Sequence, residues 1–324
     1  MPLKTSIAIA HSNIALCKYW GKLDSERNLP AVPSLSLTLE ALRTTTEVTF
    51  SPELVADELR LNGEIAPPDA AVRVHELLER VRREAGSTLH ARVSSVNDFP
   101  TAAGLASSAS GFAALALAAR HAAGLDCALE QVSALARASS VSAARSLFGG
   151  FVALEAGAEH AVPFTPSPAA SELCMVIALT QRGSKAIGST RGMLHTQETS
   201  PYYESWRTTA PRIYADLRDQ LAKGDLEALG ASVEQSALMM HASMLAARPA
   251  LIYFAPATLA AMQCVYELRR AGTFAYFTMD AGPHVKVLTL EAQRSAVAAA
   301  LAAVPGVHQV LVSRPGPGAR LVVL

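Results

Sequence analysis

Asn97-Asp-Phe-Pro-Thr-Ala-Ala-Gly-Leu-Ala-Ser-Ser-Ala-Ser-Gly111 carries a run of tiny side chains straight into an apolar segment. From Ser107 to Ala123 the chain is Ala-rich and apolar on nearly every side, which predicts a helix buried in the middle of a domain and closed by Gly124. A loop of small residues lets backbone N–H groups approach an anion, and a helix start adds about half a positive charge in partial dipoles. Together they would form a phosphate cradle, with the Ser107 and Ser108 hydroxyls placed for phosphate oxygens or Mg2+. The stretch is neither a Gly-Lys-Ser/Thr loop nor a dinucleotide fingerprint. Composition alone also fits a small-residue N-cap built only for close packing.

Upstream of this stretch the pattern is one of strands. Ile7 and Ile9 alternate with small residues, Leu35, Leu37 and Leu39 alternate with Ser36 and Thr38, and Thr44 to Phe50 is rich in β-branched residues. Asn62-Gly63 marks a turn. Val74, Leu77, Leu78 and Val81 recur at helical spacing before Gly86, and Leu89, Ala91 and Val93 read as a further strand. Downstream, one helix is expected from Glu130 to Ala144 and a strand from Phe151 to Glu155. Three prolines between Pro163 and Pro168 mark the expected domain boundary, giving units of residues 1–166 and 167–324. The second half mixes strands at Leu173–Leu179, Thr273–Met279, Val285–Leu290, Val307–Val312 and Leu321–Leu324 with helices over 202–222, 225–246, 256–271 and 291–303. Pro211 is a candidate break in the first of these helices. The order of elements is mixed rather than strictly alternating, so the fold class is α+β.

Composition narrows the function. Lys plus Arg and Asp plus Glu both number 28, so no global field draws the chain to nucleic acid or anionic lipid, and any anion site is local. The four cysteines, Cys17, Cys127, Cys174 and Cys264, lack the short spacings of a zinc or redox pair and read as free thiols of the cytoplasm. The N-terminus lacks a secretory pattern, and the apolar run near Gly111 to Ala119 falls short of the ~20 residues that a membrane span requires.

Four further segments carry groups suited to anions. Asn13-Ile-Ala-Leu-Cys-Lys-Tyr-Trp-Gly-Lys22 presents two lysines and two aromatics; a solvated strand end with Trp20 anchoring the core fits equally. Ser140-Val-Ser-Ala-Ala-Arg-Ser-Leu-Phe-Gly-Gly150 places Arg145 near a helix end, where it suits either a bidentate clamp on an oxyanion or the helix dipole. Lys185-Ala-Ile-Gly-Ser-Thr-Arg-Gly-Met193 combines hydroxyls, cations and glycines and reads as an anion loop or a surface loop. Asp280-Ala-Gly-Pro283 sets a carboxylate at a strand end beside a tight turn, a position that aspartate also fills for turn geometry alone. The nine histidines show no metal-ligand spacing.

The order and wording of these segments resemble the diphosphomevalonate decarboxylase family, within the superfamily of galactokinase, homoserine kinase, mevalonate kinase and phosphomevalonate kinase. The resemblance implies an N-terminal domain like the second domain of ribosomal protein S5, a C-terminal ferredoxin-like α/β sandwich, an active site in the cleft between them, and a homodimer. It implies ATP- and Mg2+-dependent conversion of mevalonate 5-diphosphate to isopentenyl diphosphate. On that resemblance Asp280 serves the 3-hydroxyl, Lys18 neutralises charge near the transferred phosphate, and Asn13 with Arg145 holds the substrate carboxylate. Tyr19, Lys22, Ser140, Ser142 and Ser189, with Arg145, would grip the substrate. Pro100, Ala103, Gly104, Leu105, Ala106, Ser107 and Ser108 would form the ATP loop, Ser108 also meeting Mg2+. The sequence departs from the family at His11-Ser12, at Asp98 and at Arg191, the last beside the phosphate grip and able to alter the preferred number of phosphates. Rival readings are a mevalonate 5-phosphate decarboxylase or a mevalonate 3-kinase of the same fold and, more distantly, a non-catalytic binding protein.

Overall fold

The computed structural model describes residues 5–66, 68–100, 105–181 and 187–323. Its strands, in chain order, are β1 (Thr5–Cys17), β2 (Lys22–Asp24), β3 (Leu29–Pro30), β4 (Ser34–Ser51), β5 (Glu58–Leu61), β6 (Glu64–Ile65), β7 (His90–Asn97), β8 (Phe151–Leu154), β9 (Val162–Phe164), β10 (Leu173–Leu179), β11 (Ala275–Thr278), β12 (Val285–Leu290), β13 (Gln309–Ser313) and β14 (Arg320–Val322). The helices are α1 (Pro68–Ala85), α2 (Ser107–Ala122), α3 (Leu129–Ser139), α4 (Ser189–Thr199), α5 (Tyr203–Lys223), α6 (Leu226–Leu245), α7 (Pro256–Arg270) and α8 (Arg294–Ala302). No described helix is long and apolar enough to cross a membrane.

The architecture is mixed α and β in two domains. An eight-stranded sheet orders β14-β1-β4-β7-β5-β6, with β8 paired to β4 and β9 to β8. A second, four-stranded antiparallel sheet orders β11-β12-β10-β13. The last strand, β14, returns to pair with β1 in the first sheet. One apolar cluster joins both sheets: Leu35, Leu37 and Phe151 from the first pack with Met175, Ile177 and Leu288 of the second and with Leu217 and Leu229 of α5 and α6. The two sheets therefore share a core.

Helix α2 is buried on all sides, as its composition requires: Phe112 to Ala119 are each at most 6% exposed, and alanines let β1, β4 and α3 approach closely. Gly124 ends it in the left-handed region (φ 71°), with its N–H on the His121 carbonyl and that of Leu125 on Arg120. The single helix expected over Glu130–Ala144 is instead two pieces. Ser140 is extended (φ −155°, ψ 114°), and a 3-10 turn follows over Val141–Leu147. Asn13 and Ser133 side chains donate to the Ser142 and Ala144 carbonyls, so tertiary partners replace the hydrogen bonds of a continuing helix. Pro211 lies inside α5 without ending it.

Two close approaches explain glycines. Gly149 and Gly316 meet backbone to backbone: a Cβ on Gly149 would lie 2.7 Å from the Gly318 nitrogen, and one on Gly316 would lie 2.5 Å from that of Glu40. At Gly230 in α6 a Cβ would fall 2.2 Å from the Tyr276 ring on β11. The Tyr276 hydroxyl is tied to Glu227, so the ring has little room to yield. Gly230→Ala is therefore expected to lower unfolding free energy by about 1–3 kcal/mol through overpacking, checked by chemical denaturation. A stability unchanged from the parent would show that the helix shifts freely over β11.

Candidate active site

The site begins with an irregularity in β1. The register against β4 shifts between His11 and Asn13 and again between Ala15 and Cys17. A bulge turns consecutive residues toward one face. Accordingly Ser12 donates to the Ala106 carbonyl and bonds Ser110 on α2, while its neighbour Asn13 donates to the Ser142 carbonyl and to Ser146 in the 3-10 turn. Arg145 completes this group: its Nε donates to Asn13 Oδ1 at 3.2 Å and its Nη1 to Ser34 Oγ at 2.7 Å. The guanidinium is buried with no carboxylate in salt-bridge contact among the described residues, and burial pushes its pKa down to about 10.

Just beyond β1, Lys18 Nζ lies 2.7 Å from Asp280 Oδ1, a pair separated by 262 positions in the chain. Lys286 of β12 reaches the other carboxylate oxygen at 3.2 Å. Both lysines are at most 1% exposed, whereas the Asp280 side chain keeps 28% exposure. Burial lowers the Lys18 pKa to about 8; Asp280 opposes the shift, while Lys286 adds to it. For Asp280, burial alone would raise the pKa, but Lys18 and then Lys286 outweigh it and hold the carboxyl far below its usual range. His241 of α6 bonds the Asp280 backbone and packs on Phe254 at a centroid distance of 4.6 Å. Burial, then the neighbouring Lys18, push its pKa down to about 3, so it is neutral at physiological pH.

The remaining predicted groups lie on the segment after β1, in the 3-10 turn and its preceding residue, and at the start of α4. Trp20 is buried and its carbonyl accepts from Trp206 Nε1 at 2.9 Å, so the aromatic does anchor the core. That anchor leaves Tyr19 beside the charges: its buried hydroxyl has no partner among the described residues, and Arg145 opposes the rise in its pKa that burial causes. Lys22 is held through its backbone by both ends of the Gln197 amide, while its half-buried ammonium feels Arg73. Ser140 and Ser142 hydroxyls lie 3.3 Å apart at the helix break. Ser189 opens α4, whose first turn carries no acid, and α4 packs through Gly192 against Trp20.

The phosphate-loop candidates divide. Ala103 and Gly104 lie outside the described residues, Pro100 is exposed, and the Leu105 side chain is buried in the shared core. Ala106 adopts left-handed geometry (φ 56°, ψ 32°) as N-cap of α2, which has neither a side-chain cap nor an acid in its first turn. Uncapped N–H groups beside Ser107 and Ser108 suit an anion. Both serines line a cavity of about 150 Å3 with Arg73, Ser95, Asn97 and Phe112. Among the described residues no group of three His, Cys, Asp or Glu side chains could hold a metal ion. Mg2+ is a hard cation that takes oxygen ligands, so phosphate oxygens and the Ser107 and Ser108 hydroxyls would suit it.

Sequence reading missed Lys286, His241 and Arg73. Lys286 did leave a signal: a lone lysine inside the apolar run Val285–Leu290 demands a buried partner.

A model described as "Diphosphomevalonate decarboxylase-like N-terminal domain" matches residues 10–164, and one described as "Mevalonate 5-diphosphate decarboxylase C-terminal domain" matches residues 175–314. The chain belongs to the diphosphomevalonate decarboxylase family. Relatives in this family include the diphosphomevalonate decarboxylase of Homo sapiens, 34% identical over 90% of this chain and 78% of its own length. The crystal structure of mevalonate diphosphate decarboxylase from Staphylococcus aureus is 36% identical, covers 99% of this chain and 98% of its own, and superposes with a TM-score of 0.94. A third relative, designated MDDEF and solved in complex with MVAPP, AMPPCP and magnesium, is 39% identical over 99% of this chain and all of its own, also with a TM-score of 0.94.

Proposed function

We propose that this chain catalyses the ATP-dependent decarboxylation of mevalonate 5-diphosphate to isopentenyl diphosphate, with ADP, phosphate and carbon dioxide as the other products. The observation that carries the reading is the Asp280 carboxylate gripped by Lys18 and Lys286 beside the buried Arg145–Asn13 pair. This is one ionised base among three buried cations, a site suited to a substrate that brings a carboxylate and receives a phosphoryl group.

A tertiary hydroxyl is a poor leaving group, so the 3-oxygen first attacks the γ-phosphorus of ATP and ADP departs. Asp280 accepts the hydroxyl proton. A carboxylate of depressed pKa suffices, because a loose transition state has little bond to the attacking oxygen and the proton need leave only late, once the formed P–O bond has made it acidic. Lys18 neutralises charge on the transferred group. The C3–O bond then breaks with loss of phosphate, and the C1–C2 bonding pair forms the double bond as carbon dioxide leaves. Asn13 and Arg145 orient the carboxylate that is lost, while Tyr19, Lys22, Ser140, Ser142 and Ser189 hold the 5-diphosphate. That remote grip aligns the reacting carbon. The Ala106–Ser108 end of α2 receives the ATP phosphates, and Ser108 would help hold Mg2+, which supplies charge neutralisation between phosphate oxygens.

The domain division at 166/167, the homodimer and the cytoplasmic location belong to the same proposal; the three prolines from Pro163 to Pro168 support the division, while β14 crosses back to the first sheet. Gel filtration with light scattering tests the dimer.

The central experiment measures ADP and carbon dioxide release from mevalonate, its 5-phosphate and its 5-diphosphate with Mg-ATP. Equal release of both products from the diphosphate alone is expected. ADP without carbon dioxide would reduce the enzyme to a kinase, and preference for the monophosphate would reassign the substrate. Lys18 also sets a pH limit. Because it acts protonated and its pKa is lowered to about 8, kcat/KM should fall as pH rises through about 8. Lys18→Arg should move that limb upward; an alkaline limb unchanged by the substitution would assign it to another group.

A further inference from the structure

Lys286 is the most enclosed charge beside Asp280, and nothing in the reaction as drawn uses it. It sits in the interior strand β12, opposite Thr278 of β11 and Ile177 of β10, and is 0% exposed. An ammonium group in that position is tolerated only with a partner. Its Nζ addresses Asp280 Oδ2, while Lys18 addresses Oδ1. The two lysines thus hold one carboxylate from different sheets, one oxygen each. Their freedom differs. Lys286 is flanked by hydrogen-bonded strands on both sides, whereas Lys18 lies just past the end of β1, its backbone N–H on Ser236 Oγ at 2.9 Å, and leads into the Tyr19–Lys22 segment proposed to hold the substrate.

We propose that Lys286 is the resident counter-ion of Asp280, a positioning residue that keeps the carboxylate ionised and aligned while Lys18 exchanges it for the transferred phosphoryl group. The second half of this statement rests on the decarboxylase reading; the pairing itself does not. Without Lys286, each departure of Lys18 would leave a carboxylate without an ion-pair partner in a largely enclosed site, and its proton affinity would climb. The other groups facing Asp280 do not replace it. Arg145 lies in the 3-10 turn and is engaged with Asn13 and Ser34, His241 of α6 is neutral, and His284 accepts the Thr180 N–H through Nδ1.

Lys286→Met is the direct test, since methionine fills the space of the lysine stem and Asp280 retains Lys18, so folding should survive. The expected result is a kcat lowered about 10-fold or more, with KM for mevalonate 5-diphosphate changed less than about 3-fold. The acidic limb of kcat should move up by about one pH unit or more, because the carboxylate must be ionised to act. In an Asp280→Asn background, Lys286→Met should add less than about 3-fold. An acidic limb that stays in place, or a full additive loss in that background, would overturn the proposal and leave Lys286 a packing residue.

A second readout needs no turnover. Carboxyl 13C NMR of the free Lys18→Met protein, with and without Lys286→Met, should show the Asp280 midpoint rising when the second lysine is removed. An unchanged midpoint would overturn the pairing, whatever the substrate proves to be. Failure of the native enzyme to turn over mevalonate 5-diphosphate, with the midpoint shift present, would overturn the substrate reading and the exchange at Lys18 while leaving the counter-ion in place.

Discussion

Asp280→Asn is expected to slow ADP release by about 10³-fold, within the range that a positioned acid–base group contributes. Asparagine keeps the shape and a hydrogen-bond acceptor for Lys18 but cannot take the hydroxyl proton. Asp280→Ala should be inactive as well, but it is the less clean variant. It would strand Lys18 and Lys286, both at most 1% exposed, without their shared anion. A buried ion pair broken on one side costs about 3 kcal/mol or more, so this variant should also melt at a lower temperature. Coupled ADP assays and thermal melts on the two variants separate chemistry from stability. Turnover of either variant at the parental rate would remove Asp280 from the reaction.

Arg145→Lys is expected to lower kcat by about 10²-fold. The guanidinium spans Asn13 Oδ1 and Ser34 Oγ at once and still has N–H groups to offer a carboxylate. A lysine at this position has one ammonium for all three tasks and no planar fork. The loss should appear in carbon dioxide and ADP release together if Arg145 holds the substrate in the reacting pose. Unchanged turnover would count against that role. The Asn13 side chain also bridges to the Ser142 carbonyl and Ser146, so Asn13→Ala should perturb the same group of contacts without removing the charge.

Much of the fold is legible in local pattern. The alternation around Leu35–Leu39 and Thr44–Phe50 yields one long strand, β4, and the apolar run after Ser107 yields the buried α2, because periodicity and composition report which faces meet water. The Asn62-Gly63 turn has positive φ at both residues, as the dipeptide predicts. The helix expected over Glu130–Ala144 breaks at Ser140 for a physical reason. Ser140 and its neighbours have acceptable helical propensity, and only the capture of the following carbonyls by Asn13 and Ser133 breaks the helix there.

The candidate site divides in the same way. Its residue types, the paired lysines near the end of β1, the lone arginine, the serines opening α2 and the aspartate after β11, are written in the chain, and their wording alone pointed to the family. Their assembly is not. The bulge at Ser12, the grip of two lysines on Asp280 and the close approach of Gly149 to Gly318 arise where segments far apart in sequence are pressed together by a shared core. Sequence by itself determined which groups are available and the local elements that carry them. Tertiary structure decided which charges meet and how far burial shifts them, because desolvation and Coulomb energy depend on distances that no local pattern encodes.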